Sequence, residues 1–162
     1  MITQAQVLEL YDYKDGELYW KINTDGKRPI GSKAGGDRLN SDGRKSVSVY
    51  GKRYPASRVI FLHQHGYLPF MVDHINGIKT DNRIENLRPA TYPENNRNAR
   101  IRLDNSSGCK NVSWAKDRKK WSVAIRVNRK RKYLGCYDDL ELADLVAHEA
   151  RDKYHKDFAK HK

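Results

Sequence analysis

Asp73 and His74 stand side by side at the end of a short apolar segment, Met71 to Ile75, which runs into the turn signal Asn76-Gly77. A carboxylate and an imidazole placed there can share work on a phosphate. Carboxylate oxygen is a hard ligand suited to Mg²⁺ or Mn²⁺, ions that keep several waters and accept phosphate oxygens as further ligands. A neutral imidazole can take a proton from water near pH 7. Asn95, 22 residues after Asp73, brings an amide oxygen from the first turn of an expected helix. Between them runs Arg83-Ile84-Glu85-Asn86-Leu87-Arg88. Singly, an Asp-His pair suits a turn or a surface ion pair, Asn95 a helix terminus and Asn86 a turn. Their joint order and spacing carries the chemical reading.

The surrounding sequence supplies elements to position these groups. Thr3 and Gln6 form a capping-box pattern, and Val7, Leu10 and Tyr11 share one helical face, which predicts a helix over residues 4–12. Residues 17–22 alternate and are aromatic-rich, as in a strand. Residues 23–45 read as loop. Residues 46–50 and 52–55 flank Gly51 as a tight hairpin. A helix is predicted from Ala56 to His65, closed by Gly66, and another from near Tyr92, started by Thr91 and Glu94. Residues 101–108 are polar and read as a linker. Beyond it, residues 110–114, 121–127 and 132–137 read as three strands and 139–158 as a helix.

Composition narrows the partner. The 162 residues hold 32 Lys or Arg against 20 Asp or Glu, a net charge of +12, and only 38% are hydrophobic. No apolar run approaches the roughly 20 residues that cross a bilayer, residues 1–4 lack a signal-peptide pattern, and two Cys cannot build a disulfide framework. Membrane, secreted-scaffold and fibrous classes are therefore excluded as expectations, and a cytoplasmic protein with free thiols is expected. Cys109 and Cys136 are expected in the first and third C-terminal strands, too far apart to pair. Zinc is not expected, since paired Cys or His spacing is missing. The charge is segregated: residues 109–133 hold ten Lys or Arg and one Asp, whereas residues 138–152 hold six acids and one Arg. A positive face on one lobe favours a polyanion, nucleic acid first. In the second strand Trp121, Val123, Ile125 and Val127 alternate with Ser122, Ala124 and Arg126, so the apolar face meets the helix and the basic face points outward.

The motif order resembles the His-Asn-His (HNH) endonucleases, in particular phage-type homing endonucleases whose third motif position is Asn. Ser57-Arg58-Val59, His63, Gly66, Val72–Gly77, Asp81-Asn82-Arg83, Asn86-Leu87-Arg88, Ala90-Thr91 and residues 95–98 carry it. The resemblance implies a ββα fold around one divalent ion, Mg²⁺ or Mn²⁺. His74 would be general base, Asp73 and Asn95 metal ligands, and Asn86 a brace for the loop that positions His74. Where many relatives have His before Arg58, this chain has Ser57. The segment before the motif, with Tyr11-Asp12…Gly16-Glu17-Leu18-Tyr19-Trp20, also resembles such phage proteins and reads as a scaffold. Ser107-Gly108-Cys109-Lys110-Asn111-Val112-Ser113-Trp114, Trp121…Ile125 and Tyr133-Leu134-Gly135 resemble the APETALA2-type DNA-binding domain. A three-stranded sheet of that kind can enter a major groove. Resemblance and alternation together give Ser113, Arg118, Ser122, Arg126, Arg131 and Tyr133 as the DNA-facing set, joined by Arg97 and Arg100.

The expected architecture is α+β: a small N-terminal α/β scaffold (1–55), a ββα-metal nuclease core (56–100), a linker (101–108) and a three-stranded antiparallel sheet on one helix (109–162). The expected function is site-specific, metal-dependent hydrolysis of double-stranded DNA to 5′-phosphate and 3′-hydroxyl ends. A monomer is expected, acting in the host bacterial cytoplasm if phage-encoded. The alternatives are a non-catalytic, sequence-specific DNA-binding regulator, which leaves the Asp73-His74…Asn95 set unused, and an RNA-binding protein, which rests on charge alone.

Overall fold

The computed structural model describes every residue except Met1, Thr24, Asp25, Lys27, Asp37, Arg100, Arg102, Leu103 and Lys162. The described residues form a mixed α+β chain in two compact units, Met1–Thr91 and Tyr92–Lys162.

In the first unit, Thr3 closes a capping box on α1 (Gln4–Leu10): the Gln6 N–H donates to Thr3 Oγ1 at 3.3 Å and the Thr3 N–H to Gln6 Oε1 at 3.0 Å. The helix ends earlier than expected. Tyr11 is extended (φ −132°, ψ 144°) and opens a strand the sequence reading missed, β1 (Tyr11–Lys14). Asp15 and Gly16 take φ of 48° and 83°, the two positive values a two-residue hairpin needs, and pair β1 with β2 (Glu17–Trp20). Hairpin pairing has overridden the helical spacing of the apolar residues. A second hairpin, β3 (Ser46–Val49) and β4 (Lys52–Pro55), turns on Tyr50-Gly51 in the same way.

Helix α2 (Ala56–His65) ends on Gly66, at φ 78°. It buries Val59, Ile60, Phe61 and Leu62 in one core with Val7, Leu10, Tyr11, Leu18, Val47 and Val49. Val72 and Leu87 belong to the same core. They come from β5 (Met71–His74) and β6 (Leu87–Ala90), an antiparallel ribbon entered through a single 3₁₀ turn, Ile84–Asn86. The ribbon that carries Asp73 and His74 is thus fixed by the main apolar cluster of its unit.

The second unit begins with α3 (Tyr92–Asn98). Three antiparallel strands follow in the order β7 (Val112–Ala115), β8 (Lys120–Val127) and β9 (Lys130–Tyr137). Helix α4 (Leu140–His155) starts at Asp139, whose Oδ1 accepts the Leu142 N–H at 2.7 Å. A 3₁₀ turn, Lys156–Phe158, occupies the end of the span expected to be α-helical. Val112 and Val123 from the sheet meet Ala143 and Ala147 from α4. Small helical residues let the helix lie close on the strands.

Cys109 lies before β7 rather than in it, at an entry where Ser107 Oγ accepts the Cys109 N–H at 3.2 Å and lies within hydrogen-bond reach of the Cys109 and Val112 carbonyls. Cys109 and Cys136 are free thiols. No described helix is long and apolar enough to cross a membrane.

Candidate active site

Asp73 and His74 are both buried, at 4% exposure each. Alternation along β5 gives them separate partners. The ladder sets Asp73 directly opposite Arg88, whose Nε donates to Asp73 Oδ2 at 2.9 Å. A buried carboxylate needs such a partner. His74, the last residue of β5, places Nε2 3.0 Å from Asn82 Oδ1. A carbonyl oxygen only accepts, so Nε2 carries the proton and the basic nitrogen of this tautomer is Nδ1. Burial holds the imidazole below its ordinary pKa, aided by Arg44; the Asn82 hydrogen bond, Asp73 and Asp81 pull it back up. The net direction favours the neutral imidazole, the form a base requires.

Asn86 braces the intervening loop through both ends of its amide. Its Oδ1 accepts the Asn76 N–H at 2.9 Å, while Nδ2 donates to the Asp81 carbonyl at 2.7 Å and to Asn76 Oδ1 at 3.1 Å. Asp81 in turn takes Arg83 through two guanidinium contacts, at 2.9 and 2.8 Å. That pairing keeps its carboxyl well below the usual carboxylate range.

The loop also leans on the first hairpin. The Ile84 N–H donates to Tyr13 Oη at 2.9 Å, and a Cβ on Gly16 would lie 2.8 Å from the Arg83 nitrogen. This gives residues of the N-terminal segment a definite task, holding the loop that carries Asn82 and Asn86. Gly16→Ala, strained at φ 83° and clashing with backbone, is expected to cost about 1–3 kcal/mol. A melting curve superimposable on wild type would show that the close approach is dispensable.

Asn95 lies half-buried on α3, in the second unit. The donor chemistry fits a hard divalent cation, since Asp and Asn offer oxygen. The described residues contain no cluster of three or more His, Cys, Asp or Glu that could hold a metal ion.

On the sheet, Ser113, Ser122 and Cys136 form one cross-strand row, next to the pairs Ala124–Tyr133 and Arg126–Arg131. Arg118 reaches over Tyr133, with its Nη1 3.1 Å from the hydroxyl and 3.9 Å from Cys136 Sγ. Ser113, Arg118, Arg126, Arg131 and Tyr133 are exposed and Ser122 is half-buried; all lie on the sheet's strands except Arg118, which lies in the turn between β7 and β8. Arg97 is on α3, half-buried, and Arg100 lies outside the described residues. Sequence reasoning assigned no part to Asn82, Arg88, Tyr13 or Gly16. The first two sat within the quoted motif, where only pairing register reveals their partners.

Residues 54–97 match the family model described as HNH endonuclease. The chain is also similar to Protein 3.8 of Escherichia phage T7, 29% identical over 119 residues, covering 72% of this chain and 98% of that protein. No solved structure matches.

Proposed function

We propose that this protein is a metal-dependent, site-specific DNA endonuclease of the HNH homing type, its second unit binding the target and its buried Asp-His ribbon cutting beside it. The observation that carries the reading is the buried His74, held by Asn82 within the segment that matches the HNH endonuclease family. His74 Nδ1 takes the proton from a water aligned for attack on phosphorus. Asn82 fixes the ring and its tautomer, and Asn86 holds the loop bearing Asn82. Asp73 and Asn95 are assigned as ligands of one Mg²⁺ or Mn²⁺, with Arg88 orienting the Asp73 carboxylate. The bound ion would offset charge on the phosphoryl oxygens and the departing 3′ oxygen.

The second unit is read as an APETALA2-type DNA reader, supported by three antiparallel strands packed on one helix and by the exposed, cross-strand pair Arg126–Arg131. Arg126 and Arg131 face each other across β8 and β9. Like charges opposite one another repel, so an anionic or guanine partner would relieve the pair. We assign the protein to the cytoplasm, that of the bacterial host if it is phage-encoded, as a monomer.

Supercoiled plasmid with Mg²⁺ tests the reading: open circles or linears are expected, whereas band retardation without conversion would leave a binding protein only. Arg126→Ala and Arg131→Ala are expected to cost about 1–3 kcal/mol each on the cognate site alone. Lys119→Ala should weaken all sequences alike and lower the salt slope by about one unit. Equal losses on cognate and random duplex for both Arg variants would move specificity away from the sheet.

A further inference from the structure

The second unit contains a cavity of about 440 Å³ lined by Tyr92, Asn96, Arg97, Lys110, Arg126, Arg129 and His155, among others. Four cations and a histidine face this space, and no carboxylate appears among its described lining residues. Gathering like charges round a cavity is unfavourable unless an anion joins them.

Two further features point the same way. Lys110 Nζ is turned to the carbonyls of Arg97, at 2.7 Å, and Ala99, at 2.5 Å. Burial first, then the neighbouring Arg151 and Lys160, lower its pKa to about 8. Arg129 occupies the second central position of the β8–β9 hairpin with φ of 65°, after Asn128 at 49°. Glycine is the residue that suits this position. The chain instead places there an arginine whose side chain lines the cavity, which makes sense if the guanidinium has a ligand to hold.

We infer that this cavity is a phosphate site, in which Arg97, Lys110 and Arg129 clamp one backbone phosphodiester of the bound DNA apart from the Arg118–Tyr133 row of the sheet. The inference rests on the DNA-binding reading of the second unit. Its contact is sequence-independent, because phosphate carries no base identity.

Arg129→Gly is the decisive variant, since glycine relieves the left-handed backbone and the fold should melt at an equal or higher temperature. Duplex binding by the full chain is measured against salt, on cognate and random DNA, and the His155 ring signals are followed by NMR during titration with inorganic phosphate. In the variant, the log–log salt slope should drop by about one unit, about tenfold in affinity near 0.1 M salt, on both duplexes. Phosphate should shift the His155 signals in wild type and much less in Arg129→Gly, with chloride at equal ionic strength as the reference. Arg97→Gln should repeat both losses. Unchanged slopes in both variants, or His155 signals equally responsive to phosphate and chloride, would overturn the phosphate site. Variants that still cut plasmid with an unchanged slope would sink the site and keep the nuclease. A wild type that never cuts but loses slope on substitution would do the reverse.

Discussion

His74→Ala is expected to lower DNA cleavage by about 10²–10⁴-fold, the usual contribution of a general base, while leaving duplex affinity within about twofold. The asymmetry follows from where the side chain lies. At 4% exposure the imidazole has little surface to offer a duplex, and its Nε2 is engaged by Asn82 inside the unit. Asn82→Ala should follow in the same direction by a smaller factor, because the ring would remain while its tautomer and orientation loosened. Cleavage by His74→Ala within a factor of two of wild type would remove His74 from the reaction.

Asp73→Asn is expected to raise the Mg²⁺ concentration needed for half-maximal cleavage by at least about tenfold, or to abolish cutting. Loss of an outer partner of a metal ligand typically costs about 10–100-fold in metal affinity, and loss of a ligand's charge should cost no less. Asn is preferred to Ala as the test because Arg88 lies opposite, with only 15% of its side chain exposed. An amide oxygen can still accept from the guanidinium, whereas Ala would leave a largely buried cation without its carboxylate. Asn95→Ala should shift the same titration. If both variants keep the wild-type Mg²⁺ curve, the ligands lie elsewhere.

Local signals made much of the fold legible. The Thr3–Gln6 box, the Gly51 hairpin and the Gly66 cap each depend on residues a few positions apart, and each element formed where those residues stand. The failures lay where a distant partner decides. Tyr11 to Lys14 carries helical spacing before it and strand alternation within it, and pairing with Glu17 to Trp20 settles the contest. At the candidate site, residue types announced the chemistry of Asp73 and His74 but not their partners. Arg88 is Asp73's counter-ion through ladder register, and Tyr13 reaches Ile84 across 71 residues of sequence. Neither relation has a local signature.

The most direct test of hydrolysis at the 3′ oxygen is to nick supercoiled plasmid with the protein and Mg²⁺, then offer the nicked circles to DNA ligase. Attack by water activated at His74 leaves a 5′-phosphate and a 3′-hydroxyl, so the nicks are expected to reseal, and none should form with His74→Ala. Nicks that ligase cannot reseal until a 3′-phosphate is removed or a 5′ end phosphorylated, or nicking that persists in His74→Ala, would contradict the account.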